Sequence, residues 1–127
     1  MSRFVRPDTK TLVLANGDQL IVRARLTAGE QRAQYARMYT TAPDGRLQAN
    51  PLMLGVGMIV AYLLDWNLLD DAGQAVRIRD LSADDLQQVI DSLDAASFQE
   101  IRQAIETHDT AMSADRDSQK KTDGGTP

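Results

Sequence analysis

Residues 52–64 read Leu-Met-Leu-Gly-Val-Gly-Met-Ile-Val-Ala-Tyr-Leu-Leu, thirteen positions whose only polar side-chain group is the phenol of Tyr62. A helix that is apolar all round has no solvent side and must be covered on every face. Burial inside the domain is the default for such a segment. One small domain rarely covers a helix completely, so a partner-binding groove is the alternative to tight packing within the domain. With Pro51 the run is 14 residues long, against the roughly 20 that cross a bilayer, so no membrane span is expected. Asn50-Pro51 starts it with a capping amide and a proline at the first helical position. The spacing predicts a helix over residues 51–65. Gly55 and Gly57 each weaken a helix by about 1 kcal/mol relative to alanine, which close approach of another backbone would offset.

Before this helix, residues 10–26 form two β-rich runs around Asn16-Gly17, the strongest short hairpin signal. A three-residue loop with Gly17 left-handed, pairing Leu14 with Leu20 and Leu12 with Val22, gathers the apolar residues on one face. An isolated hairpin is marginal, so this one must pack on helices or pair with a further strand. Thr27-Ala28-Gly29-Glu30 is a capping box and predicts a helix over residues 28–39, with Tyr35, Met38 and Tyr39 as its apolar side. Residues 40–49 read as a loop turning at Pro43-Asp44-Gly45.

After the apolar helix, Asp65-Trp66-Asn67-Leu68 leads to a turn at Asp70-Asp71-Ala72-Gly73 and a small hairpin or extended loop. Two amphipathic helices follow. Over residues 83–92, Ser82 caps, Asp85 sits at the third position, and Leu86, Val89, Ile90 and Leu93 line one face. Over residues 95–109, Asp94 caps, and Phe98, Ile101, Ala104 and Ile105 line the face. Residues 111–127 are polar and aperiodic, and read as a disordered tail. The expected fold is α+β and mostly helical: one domain over residues 1–110, with an N-terminal β-hairpin and about four helices. Aromatic residues are 5% of the chain, so aliphatic side chains must build the core.

The chemistry-bearing signals are weak. There is no cysteine, so disulfides and thiolate-bound zinc are excluded. The single histidine, His108, excludes a multi-histidine metal site and reads as a cation favoured by a helix end. Gly55-x-Gly57 is not a dinucleotide fingerprint, because the glycines lie inside a helix and position 60 is valine. Asp65, Asp70, Asp71 and Asp80 do not match a calcium-loop spacing. No histidine is placed to activate Ser82 or Ser97. Neither an enzyme nor a cofactor is expected. The N-terminal residues are basic without an apolar run behind them, so no secretory signal is expected. Residues 1–49 carry 8 basic and 4 acidic side chains, whereas residues 50–110 carry 3 basic and 11 acidic. The arginines lack interleaved aromatics and the net charge is −4, which disfavours nucleic acid; the acidic half faces a basic protein partner or is simply a solvated surface. Leu54, Met58, Tyr62, Trp66, Leu86 and Phe98 are the candidate partner-binding residues. Trp66 reads first as a core anchor, with a partner hot spot as its alternative.

The ordered set of motifs resembles the tail assembly chaperones of long-tailed, non-contractile bacteriophages. It comprises a glycine-containing hairpin, the Leu26-Thr27-Ala28-Gly29-Glu30 helix start, an apolar helix running into Asp65-Trp66-Asn67-Leu68, the Asp70 to Gly73 turn, and the helix pair of residues 81–108. The resemblance implies a non-structural protein of the host cytoplasm, absent from the mature virion. Its implied partner is the tape measure protein, which it keeps soluble while tail tube subunits polymerise. A longer frameshifted form would recruit the tube subunit, with Lys120-Lys121 as the place for a slip site, and a homo-oligomer is compatible with the role. The alternatives are a structural tail-completion or tube-associated subunit, and a small protein-binding adaptor unrelated to phage.

Overall fold

The computed structural model describes residues 3–124, with side chains through Ala114. The hairpin forms from β1 (Thr9–Val13) and β2 (Gln19–Arg23). Leu12 faces Leu20 and Lys10 faces Val22, so the register is two residues away from the expected pairing. A two-residue slip leaves every side chain on its own face, and Leu14, Leu20 and Val22 are buried together as anticipated. The turn explains the slip. The Leu14 amide donates to the Asp18 carbonyl (2.7 Å) and the Gly17 amide to the Leu14 carbonyl (2.9 Å). The loop is therefore Ala15-Asn16-Gly17, and Gly17 takes the left-handed position at its end (φ 92°).

The same turn recurs twice. Ala42 and Arg46 bracket Pro43-Asp44-Gly45, and Asp70 and Gln74 bracket Asp71-Ala72-Gly73, with the same pair of backbone hydrogen bonds and φ of 84° and 77° at the glycines. The first of these closes β3 (Tyr39–Thr41) against β4 (Leu47–Ala49), so the stretch expected to be a loop is a two-stranded ribbon. The second closes a single bridge between Leu69 and Ala75, in line with the small hairpin expected there.

Helix α1 (Ala28–Arg37) carries both capping-box bonds: Glu30 N–H to Thr27 Oγ1 (3.1 Å) and Thr27 N–H to Glu30 Oε1 (2.8 Å). Asn50 caps a single 3₁₀ turn, Pro51–Met53, that runs into α2 (Leu54–Tyr62). The helix ends there rather than at residue 65. Residues 63–66 turn into a strand, β5 (Leu63–Trp66), which pairs antiparallel with β2 and completes the sheet β1-β2-β5. The pairing supplies the extra strand that the hairpin needs. Leu20 faces Trp66 and Val22 faces Leu63, with Leu64 as the extra residue of a bulge. Without the bulge Leu63 and Trp66 would point to opposite faces; with it, both are buried.

Helix α3 (Ala83–Asp91) is capped by Ser82, whose Oγ accepts from Asp85 N–H at 3.1 Å. Helix α4 (Ala95–Gly124) is capped by Asp94. It runs on past the end of the apolar periodicity, where disorder is expected, because no proline or glycine interrupts residues 95–123. Residues 125–127 of that expected tail lie outside the described residues. Two long-range bonds tie α4 alongside β2. Ala15 N–H donates to Glu100 Oε2 (3.0 Å) near one end, and His108 Nε2–H donates to the Arg23 carbonyl (3.0 Å) near the other. Val56, Ile59, Tyr62, Leu86, Ile90, Ile101 and Ile105 join the sheet residues in one core.

The Ser97 amide and hydroxyl both donate to Asp94, holding its carboxyl below the usual carboxylate value. A depressed native value means stability present above the unfolded value and lost as pH falls through the folded one. Asp94→Asn keeps a capping oxygen but cannot titrate. The melting temperature of the variant should therefore fall less steeply than the parent's between about pH 5 and pH 2.

Candidate functional site

The structure divides the six candidate partner-binding residues. Tyr62, Trp66 and Leu86 are core: they are 2%, 8% and 6% exposed, so they offer no surface to a partner. The Trp66 indole N–H donates to the Val76 carbonyl (2.7 Å), fixing the ring as an anchor across the loop that follows β5. Leu54 is half exposed, and Met58 and Phe98 are partly buried against the core. Only these three of the six reach the surface.

His108 is not solvated at a helix end. It lies within α4, buried, with its ring edge-on to Tyr62 at 5.4 Å between centroids. Its Nε2 meets a carbonyl, an acceptor only, so Nε2 carries the proton. Nδ1 has no hydrogen-bond partner among the described residues. The Tyr62 hydroxyl donates to Asp109 Oδ1 (2.6 Å) one position along. His108 is therefore hydrogen-bonded at one ring nitrogen among the described residues.

The glycines of α2 mark its neighbours. A Cβ on Gly55 would lie 2.5 Å from Arg102 Cδ, and one on Gly57 would lie 3.1 Å from the Gln34 carbonyl oxygen and 3.6 Å from Arg37 Cβ. Helix α4 therefore covers one side of α2, by the aliphatic stem of Arg102, and α1 covers another by direct backbone approach.

The cover provided by α1 has the wrong chemistry for what lies beneath it. Its half-buried positions are Glu30, Gln31, Gln34 and Arg37, followed by Met38, while Tyr35 is 47% exposed. Of the apolar side expected there, Met38 faces inward, its Cγ 3.8 Å from a Cβ placed on Gly57, whereas Tyr35 and Tyr39 are exposed. No residue of α1 is buried, nor is any residue from 28 to 49, the stretch that includes the β3–β4 ribbon. Below α1 a cleft of about 180 Å³ remains, bounded by Ala33, Gly57, Val60, Ala61 and Ala83. At its rim Arg23 Nε pairs with Glu30 (2.7 Å), and Arg37 pairs with Asp84 (2.9 Å) and donates to Gln87. The Asp84 side chain is 89% exposed while Arg37 is 20% exposed, and Arg23 and Glu30 are 33% and 31% exposed; fully exposed pairs contribute about 0–1 kcal/mol each.

A cover held this lightly should yield to a methyl group. Gly57→Ala is expected to raise stability in urea by up to about 1 kcal/mol, the helix-propensity gain, with α1 moving by a few tenths of an ångström. A loss of similar size would show that α1 is rigidly seated.

Among the described residues no group of three or more His, Asp or Glu side chains is arranged to hold a metal ion, and no helix is long and apolar enough to cross a membrane. Leu52, Leu47 and Tyr39 stand exposed beside the α1–α2 layer, at 85%, 73% and 47%. No protein-family model, curated protein or solved structure matches the chain.

Proposed function

We propose that the chain is a non-enzymatic tail assembly chaperone of the long-tailed phage type, binding the tape measure protein and keeping it soluble while the tube assembles. The reading rests on the ordered motifs of the sequence. One observation carries it further: an apolar helix, α2, covered on one side by a helix whose half-buried residues Glu30, Gln31, Gln34 and Arg37 are polar, with Met38 at its end. A protein that holds a long helical client needs apolar surface available to helices. It also needs a charged exterior that keeps it from aggregating itself, and residues 50–110 provide one with 11 acidic side chains. The partners of this role are the tape measure protein, a longer frameshifted form of the chain, and through that form the tube subunit.

Co-expression with the longest tail protein encoded beside the gene tests the reading, followed by pull-down and sizing. A soluble complex that forms only when this chain is present supports it. If the long protein stays insoluble and this chain elutes alone, the reading fails; finding the chain in purified particles would then identify a structural subunit. Absence of a heptanucleotide slip site near the codons for Lys120 and Lys121 would remove the frameshift.

A further inference from the structure

We propose that residues 28–49 are a displaceable cover, and that the surface of α2 beneath α1 takes an amphipathic helix of the partner protein in α1's place; the identity of that partner rests on the chaperone reading above. Three observations converge. First, residues 28–49 form a continuous 22-residue stretch with no buried side chain, so moving it away takes nothing out of the core. Second, α2 stays anchored when the stretch leaves. Val56, Ile59 and Tyr62 are buried in the main core, to which α3, α4 and the sheet also contribute buried residues. Third, the fit of α1 is poor. Glu30, Gln34 and Arg37 lie over Gly57, Val60 and Ala61, and a cleft is left between the layers. A helix with small apolar residues at those inward positions would remove more apolar surface from water than α1 does.

The rim specifies the rest of the ligand. When α1 leaves, Arg23 loses the Glu30 carboxylate and Asp84 loses the Arg37 guanidinium. Glu30 and Arg37 are seven positions apart on one helix face. The incoming helix should therefore carry an acid and, two turns later, a base, with small or aliphatic residues between them. The occupant is a helix because the seat already holds one at backbone contact distance. Exposed Tyr39 and Leu47 belong to the cover itself, and exposed Leu52 follows directly after it.

The chain has no cysteine, so a lock can be built cleanly. The Cβ placed on Gly57 lies 3.6 Å from Arg37 Cβ, inside the roughly 3.5–4.5 Å range of disulfides. The double variant Gly57→Cys/Arg37→Cys is compared with itself, oxidised and reduced. In the reduced protein, native-state hydrogen exchange should show α1 amides exchanging at least about tenfold faster than those of α2, by an opening short of global unfolding. Oxidation should remove that difference. The dye 8-anilinonaphthalene-1-sulfonate should bind the reduced form and lose most of its fluorescence with the oxidised form. Equal exchange of α1 and α2 in the reduced protein overturns the cover, whatever any client does. The parent chain and Asp84→Asn repeat the exchange measurement without any cysteine. Asp84→Asn should speed α1 about threefold and leave α2 unchanged, and no change there counts against the cover.

The two forms are then tested for holding the long tail protein encoded nearby. Capture by the reduced form alone supports the site. Equal capture by both overturns the site while the chaperone reading stands. Capture by neither, with α1 still opening, overturns this occupant together with the chaperone reading and leaves the movable cover standing. A reduced protein that forms dimers on opening, and an oxidised one that does not, would assign the seat to a second copy and overturn the partner helix.

Discussion

Trp66→Ala should remove a large share of the stability of the fold. The indole is 8% exposed, packs with Leu20 and Leu63 in the core, and donates to the Val76 carbonyl. Replacing a buried tryptophan by alanine costs about 3–5 kcal/mol through lost transfer energy and the cavity left behind. The Val76 carbonyl also loses its donor. Total stability for a domain of this size is about 5–15 kcal/mol, so the variant should melt at least about 10 °C below the parent. Circular dichroism with temperature reads this directly. Asp84→Asn, at a site 89% exposed, should change stability by less than about 1 kcal/mol. A Trp66→Ala protein that melts like the parent but fails to hold its partner would return Trp66 to the surface.

The two variants also show which parts of the fold a reader of the sequence can reach. Trp66 as a core anchor is legible because a lone large aromatic after an apolar run has few other uses. The helix starts are legible for a stronger reason: Thr27 with Glu30, Asn50 with Pro51, Ser82 and Asp94 each satisfy specific backbone amides at their own helix, and local chemistry suffices to place them. The hairpin at Gly17 is legible in existence and facing. Its register needed one further step: the left-handed residue ends a three-residue loop, so Gly17 must be third. The same rule applied to Ala42-Pro43-Asp44-Gly45-Arg46 would have disclosed the β3–β4 ribbon. Its strands are only three residues long and fully exposed, so no alternation of apolar and polar residues announces them.

Three features were not legible, and each depends on contact across the fold. Leu63 and Leu64 continue the composition of α2 without a break, so nothing local says that the chain becomes a strand; pairing with β2 decides it. His108 lies in step with Ile101 and Ile105 on the apolar face of α4, at i+7 and i+3. That spacing was available, but a polar residue there is ordinarily read as the end of the stripe. The inward face of α1 defeats hydrophobic patterning altogether. Tyr35 marks an apolar side, yet the helix seats Glu30, Gln34 and Arg37 because Arg23, Asp84 and the backbone gap at Gly57 await them from other elements. The partner-binding candidates inherited this error. Apolarity alone does not separate Tyr62, Trp66 and Leu86, which lie in the core, from Leu54, Met58 and Phe98, which reach the surface, and the layer of α1 over α2 is visible only in three dimensions.

Ile105→Ala should cost about 2–5 kcal/mol, the range for truncating a fully buried aliphatic side chain, and should do so by loosening α4 from the sheet. Ile105 is 0% exposed and Ile101 1%. They sit between the two bonds that tie α4 to the hairpin, at Glu100 and at His108. Losing Ile105 opens a cavity against which His108 and Tyr62 can shift, so the His108 Nε2 bond to Arg23 should weaken with it. Hydrogen exchange should then rise more at residues 101–109 than across β1 and β2. Met112→Ala, one helical stretch further on and only partly buried, should cost less than about 1 kcal/mol, because there the helix has passed the last of the fully buried core. If both substitutions cost the same, α4 is held along its length rather than at residues 98–108. The dependence of the fold on that one stretch explains why apolar periodicity located the working part of a 30-residue helix while missing its end. Periodicity reports which residues are buried; helix continues as far as the backbone is free to follow.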